Sequence, residues 1–441
     1  MLPDEGWERL VVLQKLKIND CHELKSLPNG LGQLKKLESL TIQGSEALTC
    51  LPDSLGKLES LKRLRMSGLL NLEFLPQGLE QLKKLKYLEI RDAQMLTSFL
   101  ADSLGQLELL ESLHLYGVSR LESLPQGLGQ LKKLTSLIID GAETLTRLPN
   151  SVGLLESLTH FHMGGLERLE LLPEGLGQLK KLTWLTIEDA EAVTRLPNSL
   201  GQLESLNGLV LRGLKRLELL PEGLGQLKKL TSLTIIGAET LTQLPDSVTL
   251  LESLEIFVVM DSKKLESLPH SLGQFKKLES LEIQNMEALA SLPDSMGQIE
   301  SLRGLVISYC PKLKALPHRG FPVQLERLTL ENLEALIPPP PHVLGRLKSL
   351  KELTLINLKE FESLSPWLGQ LKALTILIIS DCTALRCSKL PHQLRRLPLL
   401  RDLRISNCPP LLERCRQKEG EDWHKNISHV PRICIDGEWI R

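Results

Sequence analysis

The chain has 441 residues, with 53 Lys and Arg against 54 Asp and Glu and a net charge of −1. That balance argues against a broadly basic nucleic-acid binder, and no apolar run approaches the ~20 residues that span a bilayer. Aromatic residues make up only 3% of the chain, so aliphatic side chains must fill the core.

In chain order, Met1 to Trp7 show no basic stretch followed by an apolar one, so no secretory signal is read there. A first strand is predicted near Leu13, Leu16 and Ile18. Little precedes it to cover its edge, so this edge is expected to meet another domain. The frame then becomes explicit. Leu37-Glu38-Ser39-Leu40-Thr41-Ile42 is followed by Leu48, Leu51-Pro52, Leu55 and Leu58, and the pattern returns at Leu61, Leu64, Met66, Leu72 and Leu75-Pro76. Openings of the type L-x-x-L-x-apolar stand at residues 13, 37, 61, 85, 110, 134, 158, 182, 206, 230, 254, 278, 302, 325, 350, 374 and 400. A period of 24 residues with this spacing marks a leucine-rich repeat. The predicted fold is an α/β-type leucine-rich-repeat solenoid of about 17 repeats, a curved horseshoe that buries one continuous core.

Within a repeat, Ser39 to Gln43 alternates outward and inward as a short strand should. Pro52 fixes φ and removes a ladder donor, so the chain turns toward the convex side. Asp53 to Leu58 is expected to form a short helical or 3-10 turn. Two subtypes alternate: P-x-G-L-G-Q-L-K-K-L, as at 125–134, and P-(D/N)-S-L-G-x-L-E-S-L, as at 52–61, so the unit of duplication is 48 residues. Lys35, Glu59, Lys83, Glu108, Lys132, Glu156, Lys180, Glu204, Lys228, Glu252, Lys276 and Glu300 share one slot. Their signs interleave, which predicts a solvated, self-neutralising ladder rather than a binding stripe.

Regularity slips at residues 99–104, which carry one extra residue and lose the proline. It slips again beyond about residue 316, where Pro338 to Pro341 is expected to be stiff and extended. Cys21, Cys310, Cys382 and Cys408 occupy a slot three residues past the last strand apolar, in separate repeats. Without a secretory signal they read as free thiols in a reducing, cytoplasmic setting. Past residue 409 the pattern ends, and 410–441 is read as a C-terminal cap. It holds a strand-like Val430 to Ile435, with Trp423 and Trp439 expected to cover the final leucines.

This ending carries a resemblance. Asn407-Cys408-Pro409-Pro410-Leu411-Leu412-Glu413-Arg414-Cys415, then Gly420-Glu421-Asp422-Trp423-His424-Lys425 and Ser428-His429-Val430-Pro431, resembles the C-terminus of plant coiled-coil nucleotide-binding leucine-rich-repeat disease-resistance proteins. The L-P-x-x-(L/I) turns match the same family along the whole chain, though less specifically. The family's G-x-x-x-x-G-K-(S/T) phosphate loop is missing: Gly56-Lys57 is followed by Leu58. The resemblance therefore implies a protein-recognition module of innate immunity without its nucleotide switch and with no cofactor of its own. The partners implied are a pathogen effector or guarded host protein, and a nucleotide-binding domain at the N-terminal edge. Nucleic acid is not among them. The rival reading is a free-standing intracellular scaffold.

Odd strand positions face outward, and most are small or polar. One zone differs: His160, His162, Trp184, Val210, Ile236, Ile256, Val258 and Met260 are apolar or aromatic and are predicted to form a protein-contact patch. His160 and His162, with Asp140 and Glu188 nearby, lack a firm third ligand, so no metal site is assigned. No serine, cysteine or carboxylate pair stands apart from the repeat chemistry, so no catalytic residue is assigned.

Overall fold

The computed structural model describes residues 5–99, 103–364, 367–385, 394–409 and 427–440. The chain divides into two compact units, 1–230 and 231–441. The first carries β1 (Lys15–Asn19), β2 (Ser39–Gln43), β3 (Arg63–Ser67), β4 (Tyr87–Arg91), β5 (Ser112–Tyr116), β6 (Ser136–Asp140), β7 (His160–Gly164), β8 (Trp184–Glu188) and β9 (Gly208–Arg212). The second carries β10 (Ser232–Ile236), β11 (Ile256–Met260), β12 (Ser280–Gln284), β13 (Gly304–Ser308), β14 (Arg327–Glu331), β15 (Glu352–Ile356), β16 (Ile376–Ser380), β17 (Asp402–Ser406), β18 (Arg432–Ile435) and β19 (Glu438–Trp439). Each of β1 to β17 begins two residues after one of the predicted openings. Within each unit, consecutive strands pair in parallel at equivalent positions, as Lys15 does with Ser39 and Ser232 with Ile256. Among the described strands only β19 runs back, antiparallel to β18.

Alternation decides which side chains are buried. Leu40 and Ile42 are fully buried, as are Leu48, Leu55, Leu58 and Leu61 of the same coil. The residue directly after each of β1 to β18 has a positive φ, and it is Gly, Asp or Asn everywhere except at Tyr309 (φ 54). These short residues tolerate the left-handed region that turns the chain out of the strand. Several of their side chains also link to the next coil: Asn285 to Asp261 at 2.6 Å, Asn357 to Asn332 at 2.6 Å and Asn407 to Asp381 at 2.5 Å. In the following slot Cys310, Cys382 and Cys408 are buried, each sulfur donating to the carbonyl two residues back at 3.2–3.3 Å.

On the opposite side of each coil the proline sets up a 3-10 turn. Pro52 has φ −71 and ψ 143. Its carbonyl accepts from the Leu55 amide at 3.0 Å, and the Leu58 amide donates to Leu55 at 3.1 Å. Neighbouring turns stack with almost no space between their backbones. A Cβ on Gly56 would lie 2.2 Å from the Gly78 carbonyl oxygen, and one on Gly78 would lie 2.1 Å from that of Asp53. The two subtypes therefore interlock, the glycine of one lying against the carbonyl of the other. Ser271 breaks the alternation: it stands where the K-K-L subtype carries glycine, so Ser247, Ser271 and Ser295 give the serine form of the turn in three successive coils. There the second turn contracts to Leu272–Gln274, and Thr249 Oγ1 donates to Ser271 Oγ at 3.0 Å.

The Lys–Glu slot is solvated and self-neutralising as expected, with pairs at Lys35–Glu59 (2.9 Å), Lys132–Glu156 (2.8 Å), Lys180–Glu204 (3.2 Å) and Lys276–Glu252 (3.4 Å). One ammonium saturates its strongest contact with one carboxylate, while Lys83 turns to the Gln106 carbonyl at 3.1 Å. Two expectations are corrected. The four prolines are not wholly extended, because Pro341 opens the short helix α1 (Pro341–Gly345), where a missing amide costs nothing. Trp439 does not cover the last leucines. Its strand reverses onto β18 and sets it opposite Cys434, where it is 52% exposed. The Arg432 and Arg404 guanidinium carbons stand 4.9 and 5.6 Å from its ring. The final core layer is closed instead by buried Ile427, Val430, Ile433 and Ile435. Residues 410–426, including Trp423 and most of the family-like ending, lie outside the described residues.

Candidate functional site

In the first unit the predicted patch residues sit on β7, β8 and β9. His160 is exposed and lies in register with Trp184, and its Nδ1 is 2.9 Å from Thr159 Oγ1. Trp184 is 42% exposed although large and apolar. It is in register with Gly208, and a Cβ there would come within 2.3 Å of the six-membered ring. The absence of a side chain on β9 thus gives the indole the space over Gly208. An aromatic ring so seated offers large contact area at small entropic cost. Val210 is half-buried beside Thr186, and His162 is half-buried at the equivalent position of β7. His162 Nε2 and Asp140 Oδ1 converge near Gly164, at 3.0 and 2.7 Å from where its Cβ would be.

In the second unit Ile256 is 45% exposed, while Val258, Met260 and Ile236 are half-buried. Val258 pairs in register with Thr234 and Glu282, and Ile236 with Met260. These are outward positions of adjacent strands, so an aliphatic strip runs over β10 and β11. No group of three or more His, Cys, Asp or Glu side chains placed to hold a metal occurs among the described residues.

A second constellation in the first unit was not singled out from the sequence. It occupies β3 to β6. Tyr87, His114 and Tyr116 form a row of edge-to-face rings, with centroids 5.3 and 6.2 Å apart. Arg65 and Arg63 stand 5.0 and 5.6 Å from the Tyr87 ring centre, and Arg91 stands 4.1 Å from that of Tyr116. The Glu89 carboxylate lies between Arg65 (3.7 Å) and Arg91 (3.8 Å) and accepts from the Tyr87 hydroxyl. Burial holds the His114 imidazole below its usual pKa and raises the Tyr87 and Tyr116 phenols above theirs. Stacking the outward positions of the openings at 61, 85 and 110 would have found this cluster. It was missed because its members are polar as well as aromatic.

His114 Nε2 also lies 3.0 Å from Ser136 Oγ, a nucleophile-like pairing. Behind the ring stands Tyr87 at 3.4 Å, not a carboxylate. The strand amides around it are spent in the parallel ladder, which leaves no preorganised oxyanion donor there. The arrangement fixes the ring row in place.

The first unit also leaves apolar side chains at its N-terminal edge: Leu10, Val11 and Val12 are 45, 58 and 71% exposed. No helix among the described residues is long and apolar enough to cross a membrane.

A family model described as a leucine-rich repeat region matches residues 73–188 and 164–329. The chain belongs to this family, and its stacked, outward-facing strands make it a protein-interaction module. Over 57 residues it is 39% identical to the putative disease resistance protein RGA4 of Solanum bulbocastanum, a stretch covering 13% of this chain and 6% of that protein. The chain therefore matches only a small part of that relative. Among solved structures, the leucine-rich-repeat protein LIC12759 of Leptospira interrogans is 25% identical, with a TM-score of 0.64 over 97% of each chain. A chain of the Drosophila Toll–Spatzle complex is 20% identical, with a TM-score of 0.68 over 90% of this chain and 54% of that one. That likeness speaks for the fold alone.

Proposed function

We propose that this chain recognises proteins in plant innate immunity. Its outward strand face would engage a pathogen effector or a guarded host protein, and its N-terminal edge would hold a nucleotide-binding domain. The observation that carries the reading is Trp184, a large ring kept exposed and seated on Gly208. Central aromatic anchors of this kind dominate protein interfaces. The short identity to a putative disease resistance protein supports the plant setting. The exposed Leu10, Val11 and Val12 support an apolar contact at the edge. In this reading the protein is cytoplasmic, residues 1–409 form the recognition solenoid and 410–441 close its C-terminal end.

The test supplies the chain in leaf cells together with the nucleotide-binding region of a resistance protein stripped of its own repeats. The expected result is suppression of the cell death that region triggers, with suppression weakened by Val11→Asp and Val12→Asp. Partner binding is expected to weaken in Trp184→Ala or in Val258→Asp, each tested by itself. Retained partner binding in both variants would sink the patch assignment. Unaltered cell death with the wild-type chain would favour a free-standing scaffold.

A further inference from the structure

The outward positions of β1 to β5 are unevenly charged. Lys15, Lys17, Arg63, Arg65 and Arg91 are all exposed there, against the single acid Glu89, whose side chain is only 17% exposed. The whole chain is almost neutral, so this local excess is not an effect of composition. The strand ends add Asp20 and Asp92 at the rim, which limits the basic zone to the sheet face.

The arginines are also preorganised. The guanidinium carbons of Arg65 and Arg91 stand over the Tyr87 and Tyr116 rings at 5.0 and 4.1 Å, and the rings are held in turn by contacts with His114. A guanidinium held over a ring can still turn its outer N–H groups to planar, bidentate acceptors while losing little further freedom. Glu89 shows which acceptor suits the site: one carboxylate is already held between Arg65 and Arg91 with a tyrosine hydroxyl on its third side. Nearly half of each of these arginine side chains remains in solvent, at 48 and 46% exposure, and Arg63 has no carboxylate on its neighbouring register positions, Ser39 and Tyr87.

We propose that this face binds an acidic peptide segment of a partner protein. Its carboxylates would lie against Arg63, Arg65 and Arg91, and its backbone would run over the ring row. The inference rests on the protein-recognition reading above and adds the chemistry of the partner. A carboxylate-rich peptide is favoured over a nucleic acid because the basic zone is short and bounded by Asp20, Asp92 and Asp140, which would repel a continuous phosphate backbone.

The test uses a fluorescein-labelled oligoglutamate peptide with the full chain, read by anisotropy at low salt. Saturable binding that weakens as salt is raised is expected. Arg63→Ala with Arg91→Ala should lose about tenfold or more in affinity, while Arg212→Ala on β9 should leave it unchanged. Circular dichroism confirms that the variants keep their fold. Absence of saturable binding, or equal binding by the double variant, would overturn the proposal. Tighter binding of an oligouridylate of equal charge would overturn it in favour of a nucleic acid. Trp184→Ala separates the two readings. If it spares oligoglutamate binding but abolishes partner recognition, both hold. If oligoglutamate fails to bind while Trp184→Ala still weakens partner recognition, only the acidic-ligand inference falls.

Discussion

Gly177→Ala adds one methyl group where two coils meet. Its Cβ would lie 2.2 Å from the Ser199 carbonyl oxygen, 2.7 Å from Ser199 Cβ and 2.8 Å from its carbonyl carbon, where ordinary contact begins at 3.4 Å. Both sides are backbone within stacked turns, so about 1.2 Å of separation must come from moving one coil against the next. Overpacking of this kind costs about 1–3 kcal/mol. The smaller entropy of alanine in the unfolded chain returns roughly 0.4–1 kcal/mol. The net expectation is a loss of about 1–2 kcal/mol. Gly304→Ala is the matched control. Its Cβ would first meet the tip of the Arg327 side chain at 3.3 Å and then Ser280 Oγ at 3.7 Å. The arginine can swing away, so the same methyl should be neutral or stabilise by up to about 1 kcal/mol. Urea unfolding followed by far-UV circular dichroism reads both, and hydrogen exchange at the Leu176 and Leu200 amides reads the local opening. The interlocking of the turns is refuted if Gly177→Ala unfolds at the wild-type midpoint, or if Gly304→Ala costs as much.

Tyr309→Asn should stabilise by about 1 kcal/mol, because tyrosine there sits in the left-handed region at φ 54. A midpoint below wild type would count against that view. Burial pushes the Cys310 thiol up to about 11, leaving roughly one thiolate in a thousand near pH 8. Iodoacetamide should therefore label exposed Cys50 in the native protein and reach Cys310 only after denaturation; mass spectrometry that finds Cys310 modified first would contradict this. Desolvation holds the His114 pKa below its unfolded value, so its contribution is present above about pH 6.5 and is lost as pH falls through the depressed folded value. The urea midpoint should drop less on acidification in His114→Gln than in wild type, and equal drops would remove His114 from the account.

The repeat was legible because the same physical demand recurs in every coil. The second and fourth strand positions must be apolar, so the L-x-x-L openings locate β1 to β17 without a miss. Pro52 and its equivalents likewise announce the turns. What escaped was what the repeat leaves free. Outward positions bear no packing constraint, so Tyr87, Glu89 and His114 look unrelated until register places them together. A search for apolar outward residues found Trp184 and Ile256 but passed over the arginine–tyrosine cluster. The lysines and glutamates of the shared slot have several equivalent partners within reach, and local geometry chooses one of them. Trp439 was misplaced because its position depends on a reversal of the chain after β18, which no periodicity encodes.

The glycine contacts between turns bear on how such a gene can change in length. Unequal crossing-over between near-identical stretches such as 169–183 and 217–231 removes or adds whole coils. An exchange spanning 48 residues preserves every glycine-to-carbonyl contact and should pass unnoticed by the folded protein. Loss of a single glycine-form coil instead sets two serine-form turns face to face; Ser247, Ser271 and Ser295 already stand in successive coils, where one turn has shortened to Leu272–Gln274 and the next keeps its full span, Asp294–Gln298. The turns thus favour changes of the genome in even steps, and paralogues of this chain are expected to differ mostly by even numbers of coils.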